Sequence, residues 1–147
     1  MANLKEKMMA KARISIPVIL SFFLSNAACA DDLKAFLSKM TDVQNYPFHL
    51  LDDNYRAFIH AGGIYISVNK AELKEMYEEQ NRLSKDLKIK NLKILSRSDS
   101  ENYTTATYQY EWSAKIGNTN MNGFLENHTT LLKDGESWIV IFDAVTQ

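Results

Sequence analysis

Two long stretches of alternating apolar and polar residues dominate the C-terminal half of this 147-residue chain. Along the first, residues 103–116, every second side chain in the middle is apolar or aromatic: Ala106, Tyr108, Tyr110, Trp112 and Ala114. The second stretch covers residues 119–133, and Gly117-Asn118 between them predicts a tight turn. A period of two indicates half-buried β-strands. Strands of this length exceed the usual ~5–6 residues and must twist and bend, as Gly123 also suggests, so the sheet is expected to be strongly curved.

Further strands are predicted on both sides of this pair. Residues 55–59 and 64–68 are rich in β-forming side chains, and Gly62-Gly63 between them predicts a hairpin. Residues 87–94 alternate but slip by one position near Asn91, which favours a β-bulge there. Asp134-Gly135 predicts a last turn before residues 138–145. Four of these strands form a predicted antiparallel meander.

The last strand is apolar on both faces. Strict alternation puts three of its side chains on one face, namely Trp138, Val140 and Phe142, and the other three on the opposite face, namely Ile139, Ile141 and Val145. A strand of this kind is covered on both sides, and helices can cover only one of them. A second copy of the chain over the other face is therefore expected. The same alternation turns Asp143 away from Phe142, toward that interface or solvent.

Two stretches have the period of amphipathic helices. Leu33, Phe36, Leu37 and Met40 lie at i, i+3, i+4 and i+7, and a short turn is expected over 48–51 before the first strand. Asn69 followed by Glu72 predicts a capping box, and one apolar face follows it: Leu73, Met76, Tyr77, Leu83 and Leu87. Helices followed by an antiparallel meander predict an α+β fold.

The N-terminus has the three zones of an export signal. Four basic residues precede an uncharged stretch over residues 14–24, and small residues follow, ending in Ala28-Cys29-Ala30. Eleven apolar residues are too few for a membrane-spanning helix, which needs ~20. We therefore expect residues 1–30 to be a signal peptide cleaved after Ala30, from a start at Met1, Met8 or Met9. A lipid anchor at Cys29 is the alternative, although Asn26 occupies a position where lipoprotein signals usually have Leu.

Cleavage would leave one domain, residues 31–147, without cysteine. Its 13 basic and 17 acidic side chains give a net charge of −4, and it contains no basic run that favours nucleic acid or an anionic membrane. We expect a periplasmic or secreted protein with no nucleic-acid partner and no stable membrane span.

The order of these elements resembles the nuclear transport factor 2-like superfamily, which includes ketosteroid isomerases and SnoaL-like polyketide cyclases. Three patterns carry the resemblance: the segment 51–55 entering the first strand, Gly62-Gly63 followed by the helix start at residues 69–73, and the final hairpin at residues 133–138. Together they cover about residues 32–146. The resemblance implies a cone-like half-barrel with a pocket between the curved sheet and the helices, often dimerised through the sheet.

In ketosteroid isomerases a carboxylate base lies near the end of the first hairpin, opposite an oxyanion-stabilising pair. Here that hairpin end has His60 and no carboxylate, so the resemblance makes His60 the candidate catalytic residue. Many family members also have a histidine six residues after the tryptophan that opens the last strand, where this chain has Ala144.

Aromatic side chains are the candidates for lining the pocket: Tyr108, Tyr110, Trp112, Trp138 and Phe142. Tyrosine hydroxyls among them could donate to a ligand carbonyl, or they could belong to the packed core. Glu126 and His128 share a strand face, where lateral pairing toward solvent is expected. The three histidines lack metal-ligand spacing, and no phosphate loop or nucleophile elbow is present, so neither a metal nor another cofactor is expected.

Two functions of different classes follow. One is a binding module that holds a small, largely apolar molecule in the cone or presents its sheet to a protein. The other is a cofactor-free isomerase, dehydratase or cyclase that uses His60 and a tyrosine. An open cavity with His60 and a second polar group converging on it would favour the enzyme.

Overall fold

The computed structural model describes residues 32–147, and the predicted signal segment, including Cys29, lies outside the described residues. The chain divides into two units, Met1–Ala35 and Phe36–Gln147. Residues 32–40 are helical (α1), and the predicted stripe on this helix is confirmed because its four apolar members are buried. Two single 3₁₀ turns follow at Val43–Asn45 and Phe48–Leu50, the second where a short turn was predicted.

Six strands and one longer helix make up the rest of the second unit. They are β1 (Leu51–Ala61), β2 (Ile64–Asn69), α2 (Lys70–Leu83), β3 (Ser84–Asp99), β4 (Tyr103–Ile116), β5 (Thr119–Asp134) and β6 (Ser137–Thr146). The strands form one open sheet in the order β2-β1-β6-β5-β4-β3. Only β1 and β6 pair in parallel, and the remaining neighbours are antiparallel. The α+β fold, the hairpin and the four-strand meander are confirmed.

Helix α2 begins at the predicted capping box. The Asn69 side chain accepts hydrogen bonds from the backbone N–H groups of Ala71 and Glu72, and Glu72 Oε2 accepts one of 2.7 Å from the Asn69 N–H. Lys70 Nζ donates to the carbonyl oxygen of Leu51 at 2.8 Å. The first turn of α2 is therefore tied to the start of β1, and the helix is fixed against the concave face of the sheet.

Bulges break the long strand β3. Asp86 and Asn91 adopt φ angles of 55° and 57°, and the pairing with β4 shifts register between Lys85 and Lys88 and again between Lys90 and Lys93. Asn and Asp tolerate this left-handed conformation better than most residues. The bulge predicted near Asn91 is confirmed, and such bulges bend a long strand and increase its twist.

A bulge in β6 corrects the facing predicted for the last strand. Val140 pairs with Leu131 of β5, whereas Phe142 pairs with the very next residue, Thr130, so Ile141 is one extra residue. Strict alternation across 138–145 is therefore wrong. Trp138 and Val140 face the concave side, but beyond the bulge Phe142 faces away from it.

Asp143 follows this bulge and turns to the concave side. It is 8% exposed and lies in the cavity described below. Its predicted place in an interface or solvent is therefore wrong, because one inserted residue reverses the face of every side chain after it.

None of the helices in the described part of the chain is long and apolar enough to cross a membrane.

Candidate functional site

A cavity of about 730 Å³ lies between the concave face of the sheet, α2 and the first 3₁₀ turn. Six aromatic side chains line it: Tyr46, Tyr55, Tyr77, Tyr108, Tyr110 and Trp112. Apolar side chains fill most of the remaining wall, including Leu73, Leu87 and Leu125. The exposed positions of Met76 and Leu83 on α2 mark the side on which the cavity opens. A cavity of this size accommodates a drug-sized molecule.

Asp143 is a buried carboxyl in the cavity wall. The hydroxyl of Tyr55 donates a hydrogen bond of 2.7 Å to Asp143 Oδ2, and both side chains are buried. The burial raises the pKa of Asp143, and the nearby hydroxyls of Thr129 and Tyr55 offset that rise only in part. Burial, together with the nearby Asp143 charge, raises the pKa of Tyr55 well above its usual range. Tyr55 is thus a neutral donor to a carboxyl that gives up its proton reluctantly.

Three buried polar side-chain atoms in the described part of the chain have no hydrogen-bond partner: Trp112 Nε1, Asn127 Nδ2 and Asp143 Oδ1. All three side chains line this one cavity. Buried polar groups in folded proteins are paired in the great majority of cases, and an unpaired group costs about 1–3 kcal/mol. All three therefore lie at the wall of the same space.

Strand register explains why the side chains of Asp143 and Asn127 line the same part of the cavity. Asp143 pairs with Thr129, two residues from Asn127 on β5, and Asn127 pairs with Tyr108 on β4. Side chains in this diagonal relation, on one face of a sheet, lie within reach of each other. A single small polar group can therefore contact both of them.

Trp112 lies farther along the sheet, opposite Gly123. A Cβ atom on Gly123 would lie 2.6 Å from Trp112 Nε1 and 2.8 Å from two ring carbons, which is closer than non-bonded atoms approach. The absence of a side chain lets the indole lie flat across β5. Gly123, predicted as a bend, thus provides the space that positions Trp112 in the wall.

The tyrosines of the wall carry neutral hydroxyls. Burial raises the pKa of Tyr110 to about 12 and also raises the pKa of Tyr46, Tyr77 and Tyr108 well above the usual range of a tyrosine. Neutral phenols donate and accept hydrogen bonds and present their ring faces to a ligand. Of the predicted pocket residues, Tyr108, Tyr110 and Trp112 line this cavity.

Two other predicted pocket residues do not line this cavity. Trp138 packs its ring against Phe36 at 5.5 Å, and its Nε1 donates to Thr104 Oγ1 at 3.2 Å. Phe142 lies on the other face of the sheet, 5.7 Å from the ring of Phe58. Trp138 stands too far toward the start of β6, and Phe142 is turned outward by the bulge at Ile141.

His60 does not line the cavity either. On β1 the inward side chains are Tyr55, Ala57 and Ile59, so the next residue points to the convex face. There its imidazole stacks on the ring of Tyr65, with 4.1 Å between ring centroids. The residue proposed from the resemblance as a base is therefore separated from the cavity by the sheet.

His128 and Glu126 form the predicted lateral pair on the convex face. His128 Nε2 lies 3.2 Å from Glu126 Oε1, and His128 Nδ1 lies 2.9 Å from the hydroxyl of Thr107. Among residues 32–147, no three His, Cys, Asp or Glu side chains come together in a way that could hold a metal ion.

Sequence reasoning missed Asp143 as a site residue. A signal for it was present: it is the only charged residue in the apolar segment 138–145, and a charge within such a strand is buried with a partner or with a function. Its direction could not be derived, because that depends on the bulge two residues earlier.

Comparison with solved structures places the fold. A ketosteroid isomerase-like protein from Erwinia carotovora is 17% identical to this chain, with a TM-score of 0.55 over 82% of this chain and 91% of its own. A nuclear transport factor 2-like protein from Cytophaga hutchinsonii is 15% identical, with a TM-score of 0.52 over 90% and 97%. A nuclear transport factor 2-like protein of unknown function from Silicibacter pomeroyi is 12% identical, with a TM-score of 0.55 over 82% and 96%. No protein-family model and no curated protein matches the sequence.

Proposed function

We propose that this chain, which has the nuclear transport factor 2-like fold, binds a small and largely apolar molecule in its cone. The observation that carries the proposal is the group of three unpaired buried polar atoms, on Trp112, Asn127 and Asp143, in the wall of one otherwise apolar and aromatic cavity. Apolar walls with a few convergent polar groups are typical of ligand sites. The ligand would bury its apolar body among the tyrosines and offer a polar group to Asp143 and Asn127.

Mass spectrometry under native conditions tests this directly, because protein purified without denaturation should carry a co-purified molecule. Nile red, an uncharged dye whose emission rises in apolar surroundings, provides a second readout. A cavity-filling variant, Ala114→Trp on the concave face of β4, should abolish dye binding. Thr107→Trp on the convex face of the same strand is the matched control and should leave it intact. Equal binding by both variants would contradict the proposal.

An acid–base enzyme is the second candidate, and Asp143 rather than His60 favours it. A buried carboxyl with a raised pKa beside a neutral tyrosine can transfer a proton or donate a hydrogen bond to a developing oxyanion. Isomerisation of a β,γ-unsaturated ketosteroid gives a conjugated enone that absorbs strongly. An enzyme of this type should produce that absorbance, and Asp143→Asn should remove it while His60→Ala leaves it unchanged. If the absorbance rises no faster with the protein than without it, this substrate is excluded.

We also propose a homodimer through the convex face of the sheet. Phe58 on β1 is 52% exposed and packs on Phe142 of β6, where it gives an apolar centre to a face whose other side chains are largely polar. Sedimentation at micromolar concentration should show a dimer, and Phe58→Lys should shift it to monomer. A wild-type protein that sediments as a strict monomer would overturn this.

Export remains a proposal as well, and it rests on the sequence alone. Expression in a bacterial host with a periplasm should yield a mature protein that begins at Asp31. Intact mass spectrometry would detect this cleavage. A lipid-modified Cys29 or an uncleaved N-terminus would contradict cleavage after Ala30.

A further inference from the structure

The charges around the cavity all have one sign. Among the described residues that line it, Glu75, Glu79 and Asp143 are carboxylates, and none is Lys, Arg or His. The two glutamates are exposed on α2, at the side where the cavity opens. A cavity for a carboxylate or phosphate ligand would be expected to present a basic side chain to it. Glu79 is paired with Arg82, which lies outside the lining, so Glu75 at the rim and Asp143 inside are the carboxylates that disfavour an anion.

Inside the cavity, one carboxylate oxygen of Asp143 is a hydrogen-bond acceptor without a donor. Asp143 Oδ2 accepts from Tyr55, but Oδ1 has no partner, although Asp143 is 8% exposed. Asp143 lies near the tyrosines of the wall, namely Tyr46, Tyr55, Tyr77, Tyr108 and Tyr110, and near the side chain of Thr129. These groups are neutral, so no cation in the described part of the chain pairs with the carboxylate. A ligand with a positively charged N–H group would supply both the hydrogen-bond donor that Oδ1 lacks and the opposite charge that the carboxylate lacks.

Aromatic rings surround the same space. Five tyrosines and Trp112 line the cavity, and the ring faces of Trp and Tyr attract organic cations, which is the basis of aromatic cages for ammonium groups. An aromatic wall with one buried carboxylate compensates an ammonium group for lost water in two ways. The carboxylate supplies a charge-assisted hydrogen bond, and the rings supply a polarisable negative surface.

We propose that the ligand is an organic cation, a protonated amine with an apolar body, whose ammonium group pairs with Asp143 inside the aromatic cage. This rests on the proposed binding function and specifies the ligand class for the same cavity. The unpaired N–H groups of Asn127 and Trp112 would donate to an oxygen elsewhere on the ligand, such as an ether, a hydroxyl or a carbonyl group.

Three probes with one apolar body and different charges test the inference: phenylbutylammonium, phenylbutanol and phenylbutanoate. Each competes with Nile red on the full chain. The ammonium should displace the dye at a concentration at least about tenfold lower than the alcohol, and the carboxylate should not displace it. If the alcohol competes equally well or the carboxylate competes at all, the inference falls while dye binding still supports the cavity. If neither the dye nor the ammonium binds, by fluorescence or by calorimetry, the inference and the proposed function fall together.

A substitution locates the charge. Asp143→Asn keeps the size of the side chain and an oxygen for Tyr55, and it should weaken ammonium binding by about tenfold or more while the alcohol changes by less than about threefold. Glu101→Gln, an exposed carboxyl in the turn between β3 and β4, is the matched control and should change neither. Equal ammonium affinity in Asp143→Asn and wild type would overturn the inference.

The pH dependence of the wild-type protein gives a test that needs no variant. The probe amine stays protonated from acid to neutral pH, and the phenols near Asp143 stay neutral. Asp143 is the acidic group inside the cavity, whereas Glu75 and Glu79 lie at its rim. Ammonium affinity should fall as the pH is lowered and Asp143 takes up its proton, whereas the affinity of the alcohol should stay flat. Glu75→Gln combined with Glu79→Gln should leave most of that pH dependence in place. A flat profile for the ammonium would contradict the pairing with Asp143.

Discussion

The hydroxyl of Tyr55 on β1 donates a hydrogen bond of 2.7 Å to Asp143 on β6, across 88 positions of the sequence. The two strands run in parallel, and Asp143 pairs with Ala57, two residues beyond Tyr55 on the same face. The bond therefore joins two neighbouring strands in the wall of the cavity. It fixes one oxygen of the carboxyl and leaves the other without a hydrogen-bond partner.

Loss of this donor should destabilise the fold. Tyr55→Phe keeps the ring in the core and leaves Asp143 with two unpaired oxygens, so we expect a loss of about 1–3 kcal/mol in the free energy of unfolding at neutral pH. Urea denaturation followed by circular dichroism measures it. Tyr65→Phe, at a tyrosine that is 78% exposed, is the control and should change stability by less than about 0.5 kcal/mol. A similar small change in Tyr55→Phe would show that the bond contributes little.

The charge on Asp143 should make the protein less stable as the pH rises. Its pKa is raised by burial, so the folded state holds the proton more tightly than the unfolded chain does. The stabilisation is complete below the ordinary pKa of an aspartate and is lost as the pH rises toward the raised value. We expect Asp143→Asn to have a higher Tm than wild type at neutral pH, and the difference to shrink as the pH is lowered through that window. Scanning calorimetry across the pH series measures these Tm values, with Glu101→Gln as the reference variant. If burial does not penalise the charge, Asp143→Asn will have no higher Tm than wild type at neutral pH.

The contact between Gly123 and Trp112 should be intolerant of a single methyl group. Gly123→Ala would put a Cβ atom 2.6 Å from the indole nitrogen, and we expect it to cost about 1–3 kcal/mol and to shift the tryptophan fluorescence. Asn122→Ala, at the exposed neighbouring position, should do neither. In a Trp112→Leu background the effect of Gly123→Ala should largely disappear, since the clash is with the indole. Additive effects of the two changes would place the strain elsewhere.

The capping box should contribute independently of the cavity. Asn69→Ala removes the acceptor for two N–H groups at the start of α2, and we expect it to cost about 1 kcal/mol. Asn69→Asp retains the acceptor and should stay close to wild type. The measurement is the midpoint of urea denaturation, and an equal loss in both variants would indicate that the amide group, rather than the capping oxygen, is required.

Local patterns predicted most of the fold correctly, because their causes are local. The period of two in 103–116 and 119–133, the turn residues at 62–63, 117–118 and 134–135, and the capping box at Asn69 each act within a few residues. The bulge at Asn91 was also predicted, because the slip in alternation is visible in the sequence. The predicted signal peptide lies outside the described residues and remains a prediction.

The candidate site was only partly predicted. Tyr108, Tyr110 and Trp112 follow from the regular alternation of β4 and were placed correctly on the concave face. Phe142 and Asp143 were placed on the wrong faces, because no residue near Ile141 distinguishes a bulge from a regular strand of apolar side chains. Trp138 faces the concave side but packs against Phe36 instead of the cavity. His60 came from the resemblance and not from a pattern in β1.

The sequence by itself determined the two long, curved strands, the capped helix and the shared face of Tyr108, Tyr110 and Trp112, but it left open whether these side chains enclose a space or pack as a core. Only the tertiary structure decided what that space can bind. A β-strand has two faces, and the pairing of Val140 and Phe142 with adjacent residues of β5 selects which face Asp143 takes. That selection is made by packing against β1 and β5, far away in the sequence. It moves one carboxylate from the convex face into an aromatic cavity with no basic side chain among its described lining residues.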